Sequence, residues 1–173
     1  MSLLKPHAIW WTAGSNPYEV SNAIIQYRML SGRYRTNKLS SYWSESGDSC
    51  CPASCCEAEA ETLEHLLLIC PAYASARAGL VQKWKSVQDP AVSVLANTAL
   101  TRPPPYLMQF LLDATVLPDI IAQVQSAGEG ILSTLFSLTR TWCYSIHRER
   151  LRILKASKES SKNDNWVAQL PGL

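Results

Sequence analysis

The chain has 173 residues, which is enough to bury one sizeable core. Its formal net charge is only +2, so the charge alone predicts no class of partner. No run of about 18 uninterrupted apolar residues occurs, which argues against a membrane span. Residues 1–14 lack the apolar core of a signal peptide, and we therefore expect an intracellular protein, in the nucleus or the cytoplasm, with reduced thiols.

The N-terminal part begins without a periodic pattern and then gives a clear helix signal. Residues 1–14 have neither a helical nor a strand period, which predicts an extended lead-in. Asn16 is a typical N-cap and Pro17 a typical first helical residue, so a helix is predicted from there to Gly32. The apolar side that we expect to face the core contains Val20, Ile24, Tyr27 and Leu30.

Charged residues are unevenly distributed, because two basic stretches flank an acidic segment that has no lysine or arginine. The first stretch contains Arg28, Arg33, Arg35 and Lys38, and the second contains Arg140, Arg148, Arg150, Arg152, Lys155 and Lys158. A polyanion would avoid the acidic middle and bind the flanks. For the second stretch, the solvated face of a packing helix is the simpler interpretation.

Five of the six cysteines and one of the three histidines lie within residues 50–70. Structural zinc binds four nitrogen or sulfur ligands, and the pattern Cys51-x4-Cys56-x8-His65-x4-Cys70 supplies them. Adjacent cysteines in an extended loop point in opposite directions, so only one of each pair can face the ion. We prefer Cys51 and Cys56, with Cys50 as the substitute for Cys51.

Two other interpretations of this segment stay open. Its cysteines would form disulfides in an oxidising compartment, although the expected reducing one favours a single zinc ion. Its acids would form a divalent-cation cluster, but beside thiolates in a loop they are more often solvated charges. These acids are Glu57, Glu59, Glu61 and Glu64.

The second half of the ligand pattern predicts a short, distorted helix. Thr62 is a plausible N-cap for the apolar run 63–69, which stops at Pro71. Residues five apart are rotated well off one face of an α-helix. His65 and Cys70 therefore bind one ion only if the helix loosens in its last turn before the proline.

The rest of the chain predicts helices and no substantial sheet, which makes the fold class mainly α. Periodic patterns and proline starts place these helices at about 71–87, 89–100, 106–114, 117–128 and 131–156. Cys143 lies outside the ligand pattern and is expected to be a buried thiol. We divide the chain into 1–88, with the zinc module, a helical part 89–157 packed on it, and a loose tail 158–173.

No catalytic constellation is recognisable in the sequence. There is no G-x-S-x-G, no Walker glycine loop and no H-E-x-x-H. A closed site with four protein ligands leaves no position for water, so its zinc would be structural. We therefore expect a protein that is not an enzyme.

Several motifs together resemble the C-terminal zinc-binding region of non-LTR retrotransposon reverse transcriptases. They are Met29-Leu-Ser-Gly-Arg-Tyr-Arg-Thr36, Tyr42-Trp43, Glu61-Thr-Leu-Glu-His-Leu-Leu-Leu-Ile-Cys-Pro71 and Leu138-Thr-Arg-Thr-Trp-Cys-Tyr-Ser-Ile-His-Arg-Glu-Arg-Leu151. The resemblance implies that Cys56, His65 and Cys70 are zinc ligands, with Cys50 or Cys51 as the first. It also implies a zinc-knuckle-like module that accompanies a polymerase which copies element RNA at a nicked DNA target.

The polymerase itself is not in this sequence, because no Tyr/Phe-x-Asp-Asp pair occurs. We expect a non-catalytic accessory domain that binds RNA or DNA, with the polymerase body as a second partner and neither a membrane nor a small-molecule substrate. The residues expected to contact nucleic acid are Arg33, Tyr34, Arg35 and Lys38, with Tyr34 or Trp43 stacking on a base, and then Arg148, Arg150 and Arg152. The alternatives are a protein-interaction or scaffold module, or an inert element remnant.

Overall fold

A computed structural model describes residues 6–43, 47–56 and 58–167, with side chains to residue 159. Its α-helices are α1 Ala8–Trp11, α2 Pro17–Leu30, α3 Asn37–Ser40, α4 Ala74–Lys85, α5 Pro90–Thr101, α6 Pro104–Asp113, α7 Pro118–Ala127 and α8 Gly130–Val167. Within these ranges there is no strand, and one isolated antiparallel bridge joins Cys50 to Ala60. The prediction of a mainly α fold is therefore confirmed.

The capping signals in the sequence set several of the helix starts. The Asn16 side chain accepts a hydrogen bond from the Tyr18 N–H, and α2 begins at the following proline. Asp89 caps α5 in the same way, through the N–H groups of Ala91 and Val92. The sequence can predict such caps, because the donor and the acceptor lie within three residues of each other.

The predicted core face of α2 is only partly correct, because Val20 and Leu30 pack against the core but Ile24 and Tyr27 do not. Ile24 and Tyr27 are 37% and 40% exposed, whereas the buried side of the helix contains Asn22, Ala23, Ile25, Gln26 and Met29. Gln26 donates through Nε2 to the Leu111 carbonyl at 2.6 Å and to Thr139 Oγ1 at 3.0 Å. Because α2 packs against both α6 and α8, these polar partners come from distant parts of the chain, and an apolar stripe could not reveal them.

Residues 1–5 lie outside the described residues, and the rest of the predicted lead-in is not extended, because α1 begins at Ala8 with His7 as its cap. Ile9 is fully buried, and Arg140 of α8 fixes the segment. The Arg140 guanidinium is also buried, donating to Glu19 at 2.9 Å and to Thr12 Oγ1 at 2.6 Å. This arginine of the second basic stretch is therefore paired inside the protein.

α8 is the longest helix and lies against α1, α2 and α4–α7. Its residue Trp142 packs on Trp84 of α4 with ring centroids 4.9 Å apart, and Trp84 also contacts Phe110 of α6. Cys143 is fully buried, as predicted. The buried residues of the two predicted parts, 1–88 and 89–157, belong to one hydrophobic core.

The tail predicted as loose, 158–173, begins as a continuation of α8, which ends at Val167. Residues 168–173 lie outside the described residues. Lys155 and Glu159, one helical turn apart, form an ion pair at 3.9 Å. The sequence prediction ended this helix too early, at about residue 156, because the apolar stripe of the helix stops there. A polar helix can continue beyond the end of its apolar stripe.

Over the described part of the chain, no single helix is long and apolar enough to cross a membrane. The bent pair Pro104–Val116 and Pro118–Ala127, at 41° to each other, meets the length and composition of a span only when taken together.

Candidate metal centre

The loop that contains the first two cysteines of the pattern folds back on itself. The Cys51 N–H donates to the Glu59 carbonyl and the Glu61 N–H to the Ser49 carbonyl, each at 2.8 Å. This pairing fixes the register of the loop, so that Cys51 faces the cluster and its neighbour Cys50 does not. Of the two adjacent cysteines, Cys51 is therefore the one whose sulfur belongs to the cluster.

His65 and Cys70 are brought to one side by a π-helical turn, His65–Ile69. The Cys70 N–H donates to the His65 carbonyl at 2.8 Å, which is the five-residue spacing of a π-turn. Thr62 caps this segment, since its Oγ1 accepts from the His65 N–H at 3.0 Å. The predicted loosening before Pro71 is thus confirmed, and the wider turn is what aligns the two ligands.

The four predicted ligands come together. One ligand atom from each of Cys51, Cys56, His65 and Cys70 lies within 4.8 Å of all the others. The Sγ atoms of Cys51 and Cys70 are 3.7 Å apart, and those of Cys56 and Cys70 are 3.2 Å apart. Sulfurs about 2.3 Å from a tetrahedral ion would be about 3.8 Å from one another, so a metal ion fits with small adjustments.

The histidine is oriented for a metal by a neighbouring acid. Its Nδ1 lies 3.0 Å from an Oε atom of Glu59, while its Nε2 is buried and has no hydrogen-bond partner among the described residues. A buried polar atom without a partner costs about 1–3 kcal/mol, which a bound cation would remove. A carboxylate on the outer nitrogen is also the usual way to hold a ligating imidazole in place.

Cys51 and Cys56 need a cation nearby to become thiolates. Burial is the main cause that raises the pKa of both Cys51 and Cys56, and the sulfur of Cys70 adds to the effect. Without a counter-charge they are therefore neutral at pH 7. A metal ion supplies that counter-charge, so binding and deprotonation are coupled.

The acids of the same segment that the structure describes do not form a cluster of their own. Glu59 is used by His65, and Glu61 is fully buried in an ion pair with Arg150, with Nε–Oε1 and Nη2–Oε2 distances of 2.7 Å. Glu64 is exposed, and Glu57 lies outside the described residues. The alternative of an acidic cation site therefore has no support in the described residues.

Two of the residues expected to contact nucleic acid lie in the interior. The Tyr34 side chain is buried, and its hydroxyl is 2.9 Å from His147 Nδ1. Arg150 is buried against Glu61, with its guanidinium 5.7 Å from the Tyr34 ring centre. Both side chains are therefore largely withdrawn from the surface, and the charge of Arg150 is neutralised by Glu61.

The remaining basic residues near the metal loop are at the surface. Arg33 and Arg35 line a pocket of about 570 Å³ together with Gly32, Leu39, Ser40 and Trp43. Trp43 is 78% exposed, and Lys38 lies 5.4 Å from the ring centre of Tyr42, which is 67% exposed. We call this surface the basic groove.

The other two predicted residues on α8, Arg148 and Arg152, are exposed but differ in their charge balance. Arg152 is paired with Glu149 at 2.6 Å, which offsets its charge. Arg148 is exposed and has no ion pair with any acid that the structure describes. Sequence reasoning missed the roles of Glu59 and Glu61, because both depend on partners that only folding brings near.

No protein-family model, no curated protein and no solved structure matches this chain. The fold and the site nevertheless define its class. It is a mainly helical protein with a largely buried set of three cysteines and one histidine that could hold a metal ion.

Proposed function

We propose that this chain is a non-catalytic accessory domain that binds single-stranded RNA or DNA and is stabilised by one structural zinc ion. The observation that carries this proposal is the basic groove, in which two arginines and an exposed tryptophan lie side by side next to the metal loop. Proteins that bind single strands commonly combine cationic side chains for the backbone with aromatic rings on which bases stack. We assign Arg33, Arg35 and Lys38 to phosphates and Trp43 to a base.

The donor chemistry favours zinc as the metal. Three thiolates and an imidazole in a closed, four-coordinate arrangement are typical of structural zinc, whereas magnesium and calcium prefer oxygen ligands. The site is also largely buried, which suits an ion that holds segments together rather than one that activates water.

The metal loop and the basic groove are mechanically connected. Asn37, the first residue of α3, donates through Nδ2 to the Cys50 carbonyl at 2.8 Å and through its backbone N–H to Glu61 Oε2 at 2.6 Å. The helix that carries Lys38 and Leu39 is thus hydrogen-bonded to the metal loop. We expect removal of the metal to disorder the loop and to weaken nucleic-acid binding with it.

This interpretation agrees with the resemblance to the zinc-binding region of retrotransposon reverse transcriptases, and we propose such an origin. In that setting the domain would hold template or target strands beside a polymerase encoded elsewhere. The proposal rests on the quoted motifs and on the position of the groove.

The test is fluorescence anisotropy with labelled 12-nucleotide single strands of RNA and DNA and a duplex of the same sequence. The double variant Arg33→Glu/Arg35→Glu should lose binding while retaining its fold and its metal. The matched control is Lys83→Glu/Lys85→Glu, which makes the same charge change on exposed residues of α4 that do not line the groove. If the protein contacts about three phosphates of a single strand, a plot of the logarithm of the association constant against the logarithm of the salt concentration should have a slope near −2. Affinity that ignores salt, or equal loss in both double variants, would refute the proposal.

A second function has one specific observation in its favour. Ile24 and Tyr27 lie about one turn apart on the outer side of α2, and the Tyr27 ring contacts Trp10 with centroids 5.2 Å apart. Exposed apolar side chains grouped in this way often mark a protein interface. A protein-interaction role would predict that Tyr27→Lys abolishes binding to the polymerase partner, whereas Arg33→Glu/Arg35→Glu leaves that binding unchanged.

A further inference from the structure

A second pocket adjoins the basic groove and is far richer in arginine. It has a volume of about 280 Å³ and lies between the C-terminal end of α2, the segment that follows it and α8. We call it the arginine pocket. Its polar lining consists of Arg28, Arg33, Tyr34, Arg35, His147 and Arg150. Arg33 and Arg35 also line the basic groove, so the two pockets share a wall.

The arginine pocket has a large unbalanced positive charge. No carboxylate is among the residues found to line it. Arg150 is neutralised by Glu61, but Arg28, Arg33 and Arg35 form no ion pair with any acid in the described ranges. Burial, Arg150 and Arg28 lower the pKa of His147, so its imidazole adds no charge at pH 7. Three guanidinium charges therefore have no acidic partner within the described ranges.

We infer that the arginine pocket receives the terminal phosphate monoester of a nucleic-acid strand. This inference rests on the proposed function, which it makes more specific. A terminal monoester carries about 1.5 to 2 negative charges at pH 7, whereas an internal phosphodiester carries only one. The forked guanidinium group is also the side chain best suited to bind phosphate oxygens in pairs.

The charge of the pocket favours a strand end over an internal phosphate, because the doubly charged monoester gains more from several guanidinium groups than a singly charged phosphodiester does. Tyr34 and Arg150 are the buried residues of its polar lining, and the exposed arginines are its outer part. From there the strand would cross Arg33 and Arg35 into the basic groove, where its first bases reach Trp43.

The experiment compares three versions of one internally labelled 12-nucleotide single strand, with a 5′-phosphate, with a 3′-phosphate, or with hydroxyls at both ends. We expect one phosphorylated version to bind about tenfold more tightly than the hydroxyl version, which is the effect of one additional charge-assisted hydrogen bond. Arg28→Gln should abolish this difference and leave the affinity for the hydroxyl strand nearly unchanged, because Arg28 lines only the arginine pocket. Lys83→Gln is the control and should keep the difference.

Equal affinities for all three strands in the wild type, or a preference that survives Arg28→Gln, would overturn the inference and leave the proposed function standing. If no strand binds, the proposed function fails, and inorganic phosphate then tests the pocket alone. A rise in Tm with phosphate relative to chloride at equal ionic strength, lost in Arg28→Gln, would support a phosphate-monoester pocket. The absence of any such rise would overturn it as well.

Discussion

The buried ion pair between Glu61 and Arg150 joins the metal loop to α8, and removing either partner should strongly destabilise the protein. The carboxylate accepts two hydrogen bonds from the guanidinium at 2.7 Å and a third from the Asn37 N–H at 2.6 Å. The Glu61 side chain is fully buried, and only 9% of the Arg150 side chain is exposed. Glu61→Leu would therefore leave a guanidinium in the interior without its counter-charge.

The expected loss is about 3–5 kcal/mol for either single substitution, which is typical of breaking a buried pair. For a domain of this size each kcal/mol lowers Tm by roughly 2–4 °C, so Tm should fall by about 6–20 °C. The double variant Glu61→Leu/Arg150→Met replaces both charges with apolar groups and should be less destabilised than either single variant. The sum of the two single effects should therefore greatly exceed the effect of the double.

The assay is thermal and urea unfolding of the metal-loaded protein followed by circular dichroism. Arg152→Met is the matched control, because Arg152 forms a comparable pair with Glu149 at the surface, and it should leave Tm unchanged. Two results would contradict the conclusion that this ion pair is desolvated and coupled: single variants whose unfolding free energy is within about 1 kcal/mol of the wild type, or a double variant whose loss equals the sum of the two single losses.

Three further predictions concern the metal and pH. In a colorimetric zinc assay, the purified protein should contain one equivalent of zinc. Cys50→Ser should retain the zinc and Cys56→Ser should lose it. Loss of zinc in both variants would reject Cys51 as the first ligand. Glu59→Gln should weaken zinc affinity by about 10- to 100-fold in a chelator competition, because the carboxylate no longer orients His65, and unchanged affinity would exclude that role. His147 has a pKa below its usual value, so the unfolded chain binds more protons near pH 6. The stability contributed by neutral His147 is therefore fully present above about pH 6.5 and is lost as the pH falls through the folded-state pKa. In unfolding experiments at several pH values, His147→Gln should remove this part of the decrease in unfolding free energy at acid pH.

Much of the fold was predictable because it depends on neighbours in the sequence. Asn16 and Asp89 cap their helices through N–H groups two or three residues away, and Pro17 and Pro90 follow them at the first helical position. The core stripe of α8 was also predictable, since a helix repeats its buried side every few residues whatever it packs against. The buried side of α2 was not predictable, because the Gln26 amide nitrogen donates to atoms of α6 and α8 that are distant in the sequence.

Part of the candidate metal centre was likewise predictable from the sequence. The spacing predicted that Cys56, His65 and Cys70 would meet with either Cys51 or Cys50, and it predicted the loosened turn before Pro71. Chain geometry alone limits which of these atoms can reach a common point, so spacing carries that information.

Only the tertiary structure decided which surface remains available around that centre. Two basic-stretch residues, Tyr34 and Arg150, look like ligand contacts in the sequence, yet they lie in the interior because Glu61 pairs with Arg150 across 89 positions of the chain. Arg33 and Arg35, on either side of Tyr34, remain at the surface. A linear sequence contains the charges, but only packing determines which of them are neutralised by distant partners and which remain free to attract a ligand.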